Sequence, residues 1–275
     1  MTKPILYDQT SETLQTVLRE LGQPTFRVKQ LEEGLYQHRY LSFSEFSTLP
    51  KSLLENLGEN FKLFPLELSK TITSRDKQTQ KFLFELQDGS YIESVLMHYE
   101  GRHTVCISTQ VGCPMGCVFC ATGRMGFIRN LTAGEILAQI IFAMRQLERG
   151  GTNLTNVVYM GMGEPFLNYD HVMGSIDRLT DQKGLNFGAR RLTISTVGIL
   201  PRVRQFTEAK SQVNLALSLH APNDALRSQL IPSNEFYPLH ALIDAAKKYT
   251  DYTHRRVLIE YALIDGVNDS LELAD

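Results

Sequence analysis

Three cysteines fall within eight residues, in the run Cys113-Pro-Met-Gly-Cys117-Val-Phe-Cys120, whose spacing is C-x3-C-x2-C. Thiolates are soft ligands that suit iron–sulfur clusters and zinc, and a complete cubane or structural zinc site takes four of them. The chain has one further cysteine, Cys106. Two chemistries therefore compete. The triplet either holds a four-iron cluster by three corners, leaving the fourth iron open to an exogenous ligand, or forms a zinc knuckle that recruits Cys106 or a histidine. The stretch His103-Thr-Val-Cys106-Ile-Ser108 reads as a strand, with Val105 and Ile107 on one face and Thr104, Cys106 and Ser108 on the other. This predicts Cys106 on a strand beneath the ligand loop.

Other polar residues fall at the ends of apolar runs. Val157-Val-Tyr-Met-Gly161-Met-Gly163-Glu164-Pro165 ends a strand in a glycine turn that carries a carboxylate. Glycine lets backbone approach a ligand closely, and a carboxylate at the C-terminal mouth of a parallel sheet is placed to accept from an ammonium group. The plainer alternative is a strand-ending turn with an exposed glutamate. Ser195 and the run Ser218-Leu219-His220 lie at two more strand ends. Each alone suits a structural role; together they face the same mouth as the cysteine loop.

The elements that position these residues alternate. From His103 onward strands are predicted near 103–108, 155–160, 191–196, 213–218 and 256–263, with helical patterns such as Thr132 to Leu147 and Leu239 to Tyr249 between them. Such alternation implies parallel strands with right-handed crossovers. Thr104, Cys106, Ser108, Thr193, Ser195, Asn214, Ser218 and Glu260 form a small, polar second face on four strands, whereas closed barrels fill their interior with Val, Ile and Leu. The expected fold class is α/β, an incomplete parallel (βα) partial barrel with ligand inside, over residues 102–275. Residues 1–62 read as a helical accessory domain: Ser11 caps a run bearing Leu14, Val17, Leu18 and Leu21, a second run carries Val28, Leu31 and Leu35, and Pro50 starts a third with Leu53, Leu54 and Leu57. Residues 63–101 read as a connecting β-hairpin turned at Asp88-Gly89.

At 275 residues and 43% apolar the chain can bury a large core. Clustered thiols that serve as ligands must stay reduced, no signal-peptide pattern opens the chain, and no apolar run approaches a membrane span, so a cytoplasmic monomer is expected. A formal charge of −2 gives no global footprint for nucleic acid. Locally, Lys183, Arg190, Arg191, Arg202, Arg204 and Lys210 oppose a lone Glu208, which makes either a phosphate-binding face or a solvated surface.

Taken in order, Cys106-Ile-Ser-Thr-Gln-Val-Gly-Cys113, the cysteine triplet, Cys120-Ala-Thr-Gly123, Gly161-Met-Gly-Glu-Pro165, Thr193-Ile-Ser195, Ser218-Leu-His-Ala-Pro222 and Asp265-Gly-Val-Asn-Asp-Ser270 resemble the RlmN/Cfr family of radical S-adenosylmethionine (SAM) RNA methyltransferases. The resemblance implies a 4Fe–4S cluster on Cys113, Cys117 and Cys120, and SAM bound by Gly163, Glu164, Ser195, Ser218, Leu219 and His220. It implies Glu93 as proton acceptor, although an exposed strand carboxylate fits that position equally well. Cys106 becomes the thiol that removes the ring proton or resolves the RNA–enzyme adduct through a transient disulfide; its plainer reading is a small buried hydrophobe. The implied substrate is an adenine of 23S ribosomal RNA, at C2 in a branch that also modifies transfer RNA or at C8 in a resistance branch, with an electron donor such as flavodoxin. The family's methyl-carrying cysteine lies in a Cys-Gly-Gln-Leu segment beyond a sixth strand, and this sequence stops at Asp275. The expectation is therefore a chain that binds the cluster, leaves a barrel edge unpaired and does not complete methyl transfer. Two rival readings are a zinc-stabilised RNA-binding module and a radical SAM enzyme with a substrate other than RNA.

Overall fold

The computed structural model describes residues 2–274. Its first elements are α1 (Ser11–Glu20), α2 (Phe26–Glu32), α3 (Lys51–Asn60), β1 (Glu67–Thr73), β2 (Thr79–Glu85), β3 (Tyr91–Tyr99), β4 (Arg102–Cys106), β5 (Gln110–Gly112), α4 (Ala121–Arg124) and β6 (Phe127–Asn130). They are followed by α5 (Ala133–Arg149), β7 (Asn156–Tyr159), α6 (Tyr169–Thr180), β8 (Leu192–Thr196), α7 (Leu200–Glu208), β9 (Asn214–Ser218), α8 (Asp224–Leu230), α9 (Leu239–Thr253) and β10 (Leu258–Glu260). By packing the chain divides into two units. The first takes the residues up to Val105, Leu131–Leu154 and Asp170–Gly188; the second takes Cys106–Asn130, Thr155–Tyr169 and the chain from Ala189 onward.

In the first unit the three predicted N-terminal helices are present. Thr10, not Ser11, caps α1, accepting from the Thr13 N–H at 3.2 Å, because Thr10 holds the extended backbone that a cap needs and Ser11 is already helical. The apolar stripes bury Leu14, Leu18, Leu31, Leu53 and Leu57. The predicted hairpin is β2 and β3, paired antiparallel with Leu83 opposite Glu93 and turned at Gly89, whose φ of +80° only glycine adopts without strain. An outer strand, β1, extends it, exposed along its whole length. Strand alternation turns Phe82 and Phe84 inward, where both meet Phe142 of α5 edge to face at 5.1 and 5.0 Å. On the same inner face the buried Ser94 Oγ donates to Gln139 Oε1 at 2.6 Å, so its hydroxyl is satisfied.

The second unit carries the parallel strands that the alternation predicts. β7, β8, β9 and β10 lie side by side in that order, with Val158 beside Thr193, Ile194 beside Leu215 and Leu258 beside Ala216. Beyond Cys106 the backbone still runs along β7, the Ile107 N–H donating to Val158 O at 3.0 Å and the Gly161 N–H to Ile107 O at 3.0 Å. Leu192, Ile194, Leu215 and Leu217 are fully buried. The last strand is shorter than the span 256–263 predicts. It ends at Glu260, because the Ala262 N–H turns to His220 Nδ1 at 3.0 Å instead of continuing the ladder. The antiparallel ribbon β5–β6 has no counterpart among the predicted elements.

Candidate active site

Parallel strands present their C-terminal ends at one edge, and in the second unit the polar strand ends meet there around a cavity of about 230 Å3. Cys113, Cys117 and Cys120 line it from the loop between β5 and β6, Gly163 and Glu164 from the turn after β7, Ser195 from β8, and Ser218 and His220 from the end of β9. Glu260 of β10 lines it too.

The cysteine loop is held at its neck. The Cys113 N–H donates to Gly126 O at 2.8 Å where β5 and β6 pair, and across the ribbon Gln110 Nε2 donates to Asn130 Oδ1 at 2.8 Å. Gly112 sits at a φ of +74°, and a Cβ there would overlap the Gly126 carbonyl oxygen, so the neck requires glycine. On the far side the Val118 N–H donates to Leu230 O at 3.0 Å, and Cys117 packs on Ala221, Leu230 and Ile231. Burial pushes the Cys113 thiol up to about 11 and the Cys117 thiol up to about 12, and neighbouring thiols and Glu164 add to the rise. Thiols so placed need a metal's charge to ionise. Three thiols lining one cavity are a donor set that could hold a multinuclear cluster, three of whose irons would each take one thiolate.

Glu164 is 3% exposed and its carboxylate is engaged within the protein. Oε1 accepts from Thr196 Oγ1 at 2.6 Å and from the Phe166 N–H at 3.0 Å, and Oε2 from the Val197 N–H at 2.9 Å. Burial pushes the carboxyl above its ordinary range against these three bonds, which favour the charged form. The glycines before it serve close backbone packing. A Cβ on Gly161 would stand 2.7 Å from the Ile107 carbonyl, and one on Gly163, at φ +104°, 2.5 Å from Gln110 Cβ. They bring the turn against the chain that leads into the cysteine loop, and the Glu164 N–H donates to Gln110 Oε1 at 2.8 Å.

His220 is in the left-handed region at a φ of +58°, a conformation a non-glycine residue holds only when its surroundings fix it. Those surroundings are specific. Its Nδ1 accepts the Ala262 N–H, which places any single ring proton on Nε2, and its carbonyl accepts from Asn268 Nδ2 at 2.7 Å. Asn268 also donates to Ala262 O at 2.8 Å and accepts the Ile264 N–H at 2.6 Å, so the Asp265–Ser270 segment is a brace for the β9 and β10 ends. The imidazole meets Phe119 of the cysteine loop edge to face at 4.9 Å, and burial pushes its pKa down.

Of the remaining predicted residues, Leu219 contributes backbone, its N–H donating to Glu260 O at 2.9 Å. Cys106 ends β4 beside the Met160 backbone and within electrostatic reach of Glu260; burial pushes its thiol up to about 11. All four cysteines are free thiols. Glu93 belongs to the first unit, where Lys81 Nζ pairs with it at 2.8 Å. The basic residues do not form one stripe. Arg190 lines a separate cavity of about 670 Å3 at the N-terminal ends of β8–β10 together with Arg255 and Arg256, whereas Arg204 lines another beside Glu208, Asp244 and Asp251.

For two residues of the site the sequence suggests no individual function, although alternation does put one of them on the polar face. Glu260 is one. Arg227 on α8 is the other, fully buried, its guanidinium donating to Leu219 O (3.1 Å), Asn234 Oδ1 (2.7 Å), Val197 O (2.8 Å) and Ser218 O (3.1 Å). It ties the β8 and β9 ends together behind the cavity. The only sequence signal for Glu260 is its place opposite Val257, Ile259 and Tyr261.

Residues 107–275 match the model of the radical SAM superfamily. The chain is 45% identical over 273 residues to a protein of Bacillus velezensis named as a probable dual-specificity RNA methyltransferase RlmN, covering 99% of this chain and 75% of that one. A protein of the same name from Halalkalibacterium halodurans is 45% identical over 274 residues, with the same coverage. A crystal structure of a radical SAM methyltransferase from Sphaerobacter thermophilus superposes with a TM-score of 0.95 at 47% identity, over 98% of this chain and 80% of that one.

Proposed function

The chain belongs to the RlmN family of radical SAM RNA methyltransferases, and on that premise we propose that its cavity serves the methylation of C2 of an adenine in 23S ribosomal RNA, with transfer RNA as a second substrate, a turnover that these 275 residues do not complete without the family's methyl-carrying cysteine. The observation that carries this reading is the convergence of three thiols with Glu164, Ser195, Ser218 and His220 on one cavity at the strand ends. The phrase dual-specificity in the relatives' names favours the branch with two RNA substrates over the C8 branch.

The donor set fits a 4Fe–4S cluster bound at three corners by Cys113, Cys117 and Cys120, one soft ligand per iron on a loop closed at its neck. When bound, such a cluster supplies the electron, received from a donor such as flavodoxin, that SAM cleavage requires. The protein's own part is to position. Gly163, Glu164, Ser195, Ser218, Leu219 and His220 bind and orient SAM, the His220 imidazole offering one Nε2–H donor and the serines their hydroxyls. Cys106 and Glu93 act on the base, Glu93 as proton acceptor and Cys106 as the thiol that frees the product. Among the described residues no helix is long and apolar enough to cross a membrane. The protein works as a cytoplasmic monomer.

The test is mass spectrometry of ribosomal and transfer RNA from cells with and without the gene. A 2-methyladenine present only with the gene is expected; identical methyladenine inventories would refute the RNA reading, and an 8-methyladenine would move the chain to the other branch.

RNA contact through Arg190 and Arg191, both exposed, gives a second expected result. Each phosphate contact adds to the salt dependence of binding, so replacing both by alanine should weaken RNA binding and reduce the slope of log affinity against log salt by about one to two units. An unchanged slope would make this surface merely solvated.

A further inference from the structure

Ser195, Ser218 and Glu260 stand at the adjacent ends of β8, β9 and β10. Ser195 Oγ donates to Glu260 Oε2 at 2.6 Å, Ser218 Oγ lies 3.2 Å from the same oxygen, and the two hydroxyls are 3.1 Å apart. A carboxylate only accepts, so it draws the serine protons onto itself and leaves serine lone pairs, with its own, facing the cavity that all three line. The cavity's other carboxylate is differently placed. Glu164 is buried and both of its oxygens hold the β8 turn and the Phe166 backbone, whereas Glu260 is half-buried and its two serine bonds both fall on Oε2. An acceptor trio with one carboxylate at its centre addresses a ligand that brings paired donors. If SAM occupies this cavity, as the proposed function has it, the vicinal hydroxyls of its ribose are such a pair of donors. An acidic side chain on a ribose diol is a recurrent pairing in nucleotide sites.

We propose that Glu260 binds the ribose hydroxyls of SAM directly, with Ser195 and Ser218 fixing its carboxylate. This rests on the reading of the cavity as a SAM site. Charge-assisted hydrogen bonds of this kind correspond to roughly 10- to 100-fold in affinity.

The test is calorimetric titration of anaerobic, cluster-loaded protein with S-adenosylhomocysteine and with its 2′,3′-dideoxy analogue, for wild type, Glu260→Gln and Glu260→Ala. Binding of S-adenosylhomocysteine should weaken about 10-fold in the glutamine variant and up to about 100-fold in the alanine variant. The dideoxy analogue, already without the donors, should bind all three proteins alike. Equal losses for the two ligands would mean that Glu260 only supports the serines or meets the ammonium group, and the proposal would fail. Unchanged binding of S-adenosylhomocysteine would overturn it as well. The glutamine variant, isosteric with glutamate, keeps the test decisive if the alanine variant does not fold. Wild-type protein without affinity for S-adenosylhomocysteine would overturn the SAM-site reading itself, and this proposal with it.

Discussion

Replacing Cys117 by alanine is expected to leave the anaerobically reconstituted protein with essentially no iron, against one four-iron cluster per chain in the wild type. The substitution is small. Cys117 packs on Ala221, Leu230 and Ile231, so losing its sulfur should cost only about 1 kcal/mol of packing while removing one of three corners. Two thiolates do not hold a cubane whose remaining irons face solvent. Cys113→Ala and Cys120→Ala should behave alike, and Cys106→Ala should retain iron and sulfide, because Cys106 lies beside the Met160 backbone and not on the loop. Iron, zinc and sulfide analysis with absorption spectra reads the result. Stoichiometric zinc without sulfide in the wild type, lost again in Cys106→Ala, would restore the zinc knuckle with Cys106 as fourth ligand.

Arg227→Met should be the most destabilising single change in the second unit. The guanidinium is fully buried and serves four acceptors, three of them backbone carbonyls on the segments that carry Val197, Ser218 and Leu219. Methionine fills much of the same volume but donates nothing, and each stranded buried acceptor costs about 1–3 kcal/mol, less what water recovers. A loss of about 3–5 kcal/mol is expected, a large share of the 5–15 kcal/mol that a folded protein has to lose. Arg227→Lys keeps the charge but replaces a planar fork by a single point, so it should recover only part of the loss. Denaturant midpoints of the three proteins check this. A methionine variant within about 1 kcal/mol of wild type would mean that the carbonyls find other partners.

The sequence reveals those parts of the site that depend on spacing along the chain. The cysteine loop, the glutamate after β7 and the polar ends of β8 and β9 are legible because ligand spacing and strand alternation are local properties. The ribbon β5–β6 is not, since Gln110-Val-Gly112 is too short and polar to alternate, and its existence depends on a glycine that admits a carbonyl. Glu260 looks like any strand carboxylate until three strand ends are side by side in space. Arg227 reads as the solvated face of a short helix, because nothing in Asp224-Ala-Leu-Arg-Ser-Gln-Leu230 says that the helix packs with its arginine inward. Gly161 and Gly163 are legible as necessary, yet the necessity is approach to the protein's own backbone and not to a ligand.

The neck beneath the cysteine loop bears on the timing of cluster assembly. A loop whose ends are joined by the Cys113–Gly126 hydrogen bond and the Gln110–Asn130 side-chain bond is held at its base by protein groups alone. Closing a flexible loop costs entropy that otherwise falls on the binding step. Bonds made within the chain meet part of that cost, so a cluster held by the three thiols would have chiefly the tip of the loop left to order. The tip carries the thiols, and Gly112 and Gly126 keep the two strands beneath it in contact.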